Sequence, residues 1–78
     1  MQEKNHVGID LGKRVMQALR IKPDETIERN QFKTDYLGRQ RLIKWLNKND
    51  IVGIEAGNIS FLLAKEIGKA GIKKHHIF

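Results

Sequence analysis

The feature that most constrains how this chain can fold is a change of hydrophobic period near Thr34. Before it, the first apolar stretch recurs at every second position and short strand-like segments follow between turns; after it, apolar residues recur mostly at helical spacing. Val7, Ile9 and Leu11 alternate with His6, Gly8 and Asp10, the pattern of a strand with one buried face. Gly12-Lys13 offers a turn, and Val15 to Ile21 reads as a second strand. In Lys22-Pro23-Asp24-Glu25, proline presets φ for a type I turn and Asp24 favours the turn that follows. Thr26 to Lys33 reads as a third strand, polar enough for the edge of a sheet. Three strands joined by short turns are expected to form an antiparallel meander.

Beyond Thr34 the pattern is that of alternating helices and strands. Thr34 or Asp35 can cap a helix whose apolar face carries Leu42, Trp45 and Leu46, with Gly38 one turn earlier. Arg39, Arg41, Lys44 and Lys48 fall on the opposite face, and Asn47-Lys48-Asn49-Asp50 ends the helix. Ile51 to Glu55 is a short apolar strand finishing in a carboxylate. Gly57 and Asn58 supply a turn and an N-cap for a second helix carrying Phe61, Leu62, Leu63, Ala64 and Ile67, closed by Gly71. Ile72 to Phe78 reads as a fifth strand. A helix between two strands implies a right-handed crossover and parallel pairing. The expected fold is therefore α/β, ordered β-β-β-α-β-α-β, with a mixed sheet of strand order 3-2-1-4-5. That is the arrangement of an RNase H-like core, although strand order alone leaves other α/β sheets open.

With 78 residues the chain amounts to at most one small domain, and without cysteine it has neither a disulfide nor a thiolate. No apolar run is long enough to span a membrane, and Met1-Gln2-Glu3-Lys4-Asn5 lacks the apolar stretch of a signal peptide. The expectation is a soluble, cytoplasmic protein with no membrane partner. Fifteen Lys and Arg against nine Asp and Glu give a formal charge of +6, which favours a polyanionic partner. The basic residues are spread out, with small clusters at Lys13-Arg14, Arg39/Arg41 and Lys73-Lys74.

Two carboxylates carry the chemistry. Asp10 and Glu55 each fall at or near the C-terminal end of an expected strand. If those strands are parallel neighbours, about 4.8 Å apart, both side chains point into one crevice. Paired carboxylates repel unless a cation lies between them, and Mg2+ accepts one or two carboxylates while keeping water or phosphate oxygens. Two such ions about 3.5–4 Å apart clamp the attacking and leaving oxygens of phosphoryl transfer. The plainer alternative is that Asp10 hydrogen-bonds its own turn and Glu55 merely ends a strand.

At these residues the sequence resembles a known family. Val7-Gly8-Ile9-Asp10-Leu11-Gly12-Lys13 is similar to the VGIDVSK opening of DEDD-type insertion-sequence transposases, the IS-one-ten family, related to the pilin-gene invertase Piv. Gly38 to Leu46 resembles that family's G…L…WL helix, and Val52-Gly53-Ile54-Glu55-Ala56-Gly57 its V-x-M-E-A-T/C-G motif. Leu63-Ala64 with Gly71-Ile72 matches the continuation. The resemblance implies that residues 1–78 are the N-terminal part of a single RNase H-like (RuvC-like) nuclease domain of a DNA transposase. Asp10 and Glu55 would be the first two of four catalytic, metal-binding carboxylates, the other two lying downstream in the family. It further implies Mg2+ or Mn2+ as cofactor in the complete protein, DNA and a structured guide RNA as partners, and homo-oligomers. With half of the tetrad, the isolated chain is expected to be inactive.

Other features divide between a functional and a plain reading. Lys13 matches a family lysine, and either contacts a substrate phosphate or screens the carboxylates. His75 and His76 face opposite sides of a strand and suit a surface role better than one shared ion. Trp45 belongs to the core, and the basic helix face is expected to be solvated rather than a DNA track. Gly8-Ile9-Asp10-Leu11-Gly12 also resembles the first phosphate loop of the actin, Hsp70 and sugar-kinase ATPases, but Lys13-Arg14 stands where those have a small hydroxyl residue. A third alternative is a nucleic-acid-binding module without chemistry. A sheet without helices on one face exposes apolar surface and free edges, so self-association is expected.

Overall fold

In the computed structural model, which describes residues 3–72 and 74–78, the alternating segments form strands and the helical-period segments form helices. Met1, Gln2 and Lys73 lie outside the described residues, so the expected Lys73-Lys74 pair is described only at Lys74, which is exposed. Strands β1 (Asn5–Leu11), β2 (Val15–Ile21) and β3 (Ile27–Lys33) form the antiparallel meander. Helix α1 (Tyr36–Trp45) leads to β4 (Asp50–Ile54), and α2 (Ser60–Lys69) leads to β5 (His75–Ile77). β4 runs parallel to β1 and β5 parallel to β4, so the sheet is mixed and its order is β3-β2-β1-β4-β5, as expected.

Both crossovers advance in the same direction across the sheet, so a shared right hand puts both helices on the same face. That face holds the core: Val7, Ile9, Met16, Ala18, Val52 and Ile54 pack with Leu42, Leu46, Leu63, Ala64, Ile67 and Ile72. The other face, carrying His6, Gly8, Asp10, Gln17, Arg29, Glu55, His76 and Phe78, is left open by both helices. Among the described residues, no helix is long and apolar enough to cross a membrane.

The core also contains an ion pair. Arg20 lies on the helix-facing side of β2, opposite Val7, and is 5% exposed. Its guanidinium donates to both Asp50 oxygens, Nε to Oδ1 at 3.1 Å and Nη2 to Oδ2 at 2.7 Å, to Glu28 Oε1 at 3.0 Å and to the Trp45 carbonyl at 2.8 Å. It stacks 3.9 Å from the centroid of the Trp45 ring. Burial works against the charge, but hydrogen bonds and charge from Asp50 and Glu28 outweigh it and hold the proton more tightly than usual. Asp50 also accepts from Asn5 Nδ2 and the Asn47 amide, so the turn after α1, β2 and the start of β1 meet at one carboxylate. Removing one partner of such a pair leaves a buried charge, at a cost of about 3–5 kcal/mol.

Several boundaries depart from the sequence reading. Thr26 belongs to the β2–β3 turn rather than to β3, because its amide is held by Asp24 and its carbonyl by the Lys22 amide. Asp50, expected to end α1, instead begins β4. Asp35 rather than Thr34 caps α1, accepting from the Gly38 amide at 2.8 Å, while the Thr34 hydroxyl donates to the Gly12 carbonyl. Asn58 does not cap α2; the cap position is Ile59, and the first turn is tied by the Ser60 hydroxyl to the Gly57 carbonyl. Ser60, Leu63, Ala64 and Ile67 form the buried row of α2, and Phe61 and Leu62 fall off it into solvent. β5 is shorter than expected, because Ile72 turns into the core before the strand begins.

Candidate active site

Asp10 and Glu55 are brought together by strand register. The parallel β1–β4 ladder pairs Gly8 with Gly53 and Ile9 with Ile54. The Glu55 amide then donates to the Ile9 carbonyl at 3.0 Å, carrying the ladder one step further. Asp10 and Glu55 are therefore opposite one another, on the same face of strands about 4.8 Å apart. A hydrogen bond with the Asp10 carboxyl, and then the negative charge of Asp10, raise the proton affinity of Glu55 above the ordinary glutamate range. Both side chains are exposed on the open face.

The pair sits at one end of an open groove of about 500 Å³. Its floor is Gly8 and Gly53, with Leu19 on one flank, Phe78 on the other, and Gln17 and Arg29 toward the β3 edge. Arg29 is the basic side chain lining this groove, and it comes from the edge strand expected to be merely polar. Gln17 donates to Gln31 across β2 and β3 at 3.1 Å, which holds that rim together.

Asp10 and Glu55 are the residues here that could hold a divalent cation. Their oxygens are the hard donors Mg2+ or Mn2+ prefers, and their mutual repulsion is what a cation relieves. Among the described residues no group of three or more His, Asp or Glu gathers at one point. His6 and His76 share the open face but lie in lower rows of the sheet, opposite Ile51 and Gly53. His75, one residue away, turns to the other side and its Nδ1 lies 3.0 Å from the Ile72 carbonyl.

The remaining basic residues fall elsewhere. Lys13 is exposed in the β1–β2 turn, where it lines recesses with Thr34, Asn58 and Ile59 and with Lys33 and Asp35, not the carboxylate groove. Arg41, Lys44 and Lys48 are exposed around α1, on the helical side of the sheet. Arg39 does not join them. It turns toward α2, pairs with Glu66 at 2.7 Å and donates to the Thr34 carbonyl at 2.9 Å, so it joins the two helices.

Sequence reasoning singled out the two carboxylates and put Gly8 on the same strand face as Asp10, but missed Arg29 and Phe78 as parts of their surroundings. The signal for Arg29 was its alternation with Glu28 and Asn30, which puts it on the same face as Leu19 and Gly8 once the register is known. Comparison with protein-family models and with curated proteins found no match to this chain.

Proposed function

We propose that this chain is the N-terminal part of an RNase H-like nuclease domain from a DNA transposase, carrying the first half of a divalent-metal site. The observation that carries this reading is the meeting of Asp10 and Glu55 at the C-terminal ends of adjacent parallel strands. Crevices at such strand ends are the usual ligand sites of open α/β sheets. The motif resemblance around Asp10 and Glu55 supports the same reading, and the net charge of +6 suits a DNA partner.

A bound Mg2+ or Mn2+ would polarise phosphate oxygens and stabilise charge on them. The protein's part is to hold two carboxylates in register on a rigid sheet and to keep the groove before them open. Lys13, in the turn after Asp10 and outside the carboxylate groove, would meet the phosphate backbone beside the site rather than the reacting phosphate, and a structured RNA would be a second anionic partner. Lys13-Arg14, standing where the phosphate loop of the actin, Hsp70 and sugar-kinase ATPases has a small hydroxyl residue, favours the metal reading over that of an ATPase.

Titration with Mn2+ followed by NMR tests the proposal. Paramagnetic broadening is expected first at the amides of Gly8 to Leu11 and Gly53 to Ala56, competed by Mg2+ and lost in Asp10→Asn. Broadening centred on His6 or His76 instead would sink it.

A further inference from the structure

Gly8 has no internal reason to be glycine. Glycine inside a strand weakens it, and where it persists it marks a bulge, a bend or the close approach of another group. Gly38 is accounted for, since a Cβ would collide with the Lys33 carbonyl. Gly53, the partner of Gly8 on β4, lies under the exposed Phe78 ring, which a Cβ there would push aside. A Cβ on Gly8 would meet no atom within 4 Å, and Gly8 does not have positive φ. Nothing inside the described chain requires a bare backbone at this point, yet Gly8 lies in the groove two residues before Asp10 and on the same face.

The second observation is Phe78. Its backbone is tied into the sheet beside Glu55, its amide donating to the Ile54 carbonyl and its carbonyl accepting from the Ala56 amide. Its ring lies against Gly53, and the residue is 80% exposed. The groove therefore has a flat peptide floor at Gly8, an aromatic ring at one side, Arg29 and Gln17 at the other, and the two carboxylates at its end. Its volume, about 500 Å³, lies within the range of roughly 300–1,000 Å³ usual for small-molecule sites.

We propose that this groove receives one unpaired nucleotide of a DNA strand, its base stacked on Phe78 and lying over Gly8, so that the adjoining phosphate reaches Asp10 and Glu55. The inference rests on the reading of that pair as a metal site and names the form of substrate it takes. The chemistry favours a nucleotide over an apolar segment. A planar base needs a flat floor and a ring to stack on, its edge can hydrogen-bond Gln17, and its phosphate can pair with Arg29 or with the bound cation. A base inside a duplex is stacked by its neighbours and cannot offer its face to Phe78, whereas an unpaired one can.

The test is the binding of a fluorescein-labelled single strand about 12 nucleotides long, and of its duplex, by anisotropy in Mg2+ with wild-type chain and four variants. The single strand is expected to bind more tightly than the duplex. Phe78→Ala and Gly8→Val are each expected to weaken single-strand binding roughly tenfold or more. Gly8→Val should leave the melting temperature unchanged or higher, because no atom stands in the way of the new side chain and valine favours strands. Asp10→Asn and Glu55→Gln should remove the Mg2+ dependence of binding. If Mg2+-dependent binding is lost in those two but unaffected by Gly8→Val and Phe78→Ala, this inference is overturned and the metal-site reading stands. If neither DNA binds, this inference is overturned, and the Mn2+ titration decides the metal-site reading separately. Equal affinity for strand and duplex, or a wild-type dimer that Gly8→Val converts to monomer, also overturns it.

Discussion

At the scale of single residues, the fold places opposing demands on its charges. Asp50 and Arg20 are buried together and satisfy one another, whereas Asp10 and Glu55 are exposed together and repel. The Glu55 proton is held more tightly in the folded chain than in an unfolded one, where Asp10 is no longer its fixed neighbour. A raised carboxyl pKa gives a contribution that is fully present below the unfolded pKa and is lost as pH rises through the folded value. The expected outcome is that Glu55→Gln is more stable than wild type at neutral pH, and that this advantage shrinks on acidification. Mg2+ should raise the melting temperature of wild type at neutral pH and leave the variant nearly unmoved. Thermal melts in a pH series, with and without Mg2+, check this; a wild-type to variant difference that ignores both pH and Mg2+ would count against it.

At the scale of elements, α1 is held closest to the meander through Gly38. Its amide donates to Asp35, and its missing side chain lets the helix backbone pass the Lys33 carbonyl at the end of β3. An added methyl there meets backbone rather than a movable side chain, so the helix must shift and strain the Thr34 link to Gly12. Gly38→Ala is expected to lower stability by about 1–3 kcal/mol, despite the better helix propensity of alanine. Urea unfolding followed by circular dichroism measures this, and a stabilised variant would mean that the backbone gives way there without cost. The β2–β3 turn shows a smaller conflict. Glu25 occupies positive φ, at 70°, where glycine or asparagine is the easier residue, so this tip of the meander is held by its hydrogen bonds rather than by local preference.

At the scale of the whole molecule, two right-handed crossovers in one direction leave a sheet face without helices, and this asymmetry divides the surface. The helical side carries exposed Arg41, Lys44, Lys48, Lys65 and Lys69. The open side carries the carboxylates at one end and an apolar corner at the other, where Ile21 is 41% and Ile27 51% exposed. That corner is next to the free edge of β3, and exposed apolar edges invite pairing. Self-association through it is expected at high protein concentration, strengthened by salt as the +6 charge is screened. Ile27→Lys should suppress it, because an edge lysine blocks both apolar contact and strand addition. Sedimentation decides the matter, and a strictly monomeric wild type at high concentration and high salt refutes the expectation.

The strand order, the strand directions and the meeting of Asp10 with Glu55 were legible in the sequence. Alternation at Val7, Ile9 and Leu11, the change of period near Thr34 and the fixed hand of crossovers are local or general rules, and together they leave little freedom in this topology. The helix-facing set of β1 and β4 followed from the same alternation, since a slip of one residue would turn every apolar side chain outward. Other features depended on which group stands across a gap. Arg20 occupies an inward position that alternation assigns to an apolar residue, and it is stable there because Asp50, Glu28 and Trp45 arrive from distant segments. Arg39 left the solvated face of α1 because Glu66 lies opposite on α2. Phe78 came to lie over Gly53, and Gly8 remained open beside it, through register between strands far apart in the chain. Periodicity reports which face of an element is buried; only the packed structure decides what each face meets, because that is set by contacts between residues that no local pattern links.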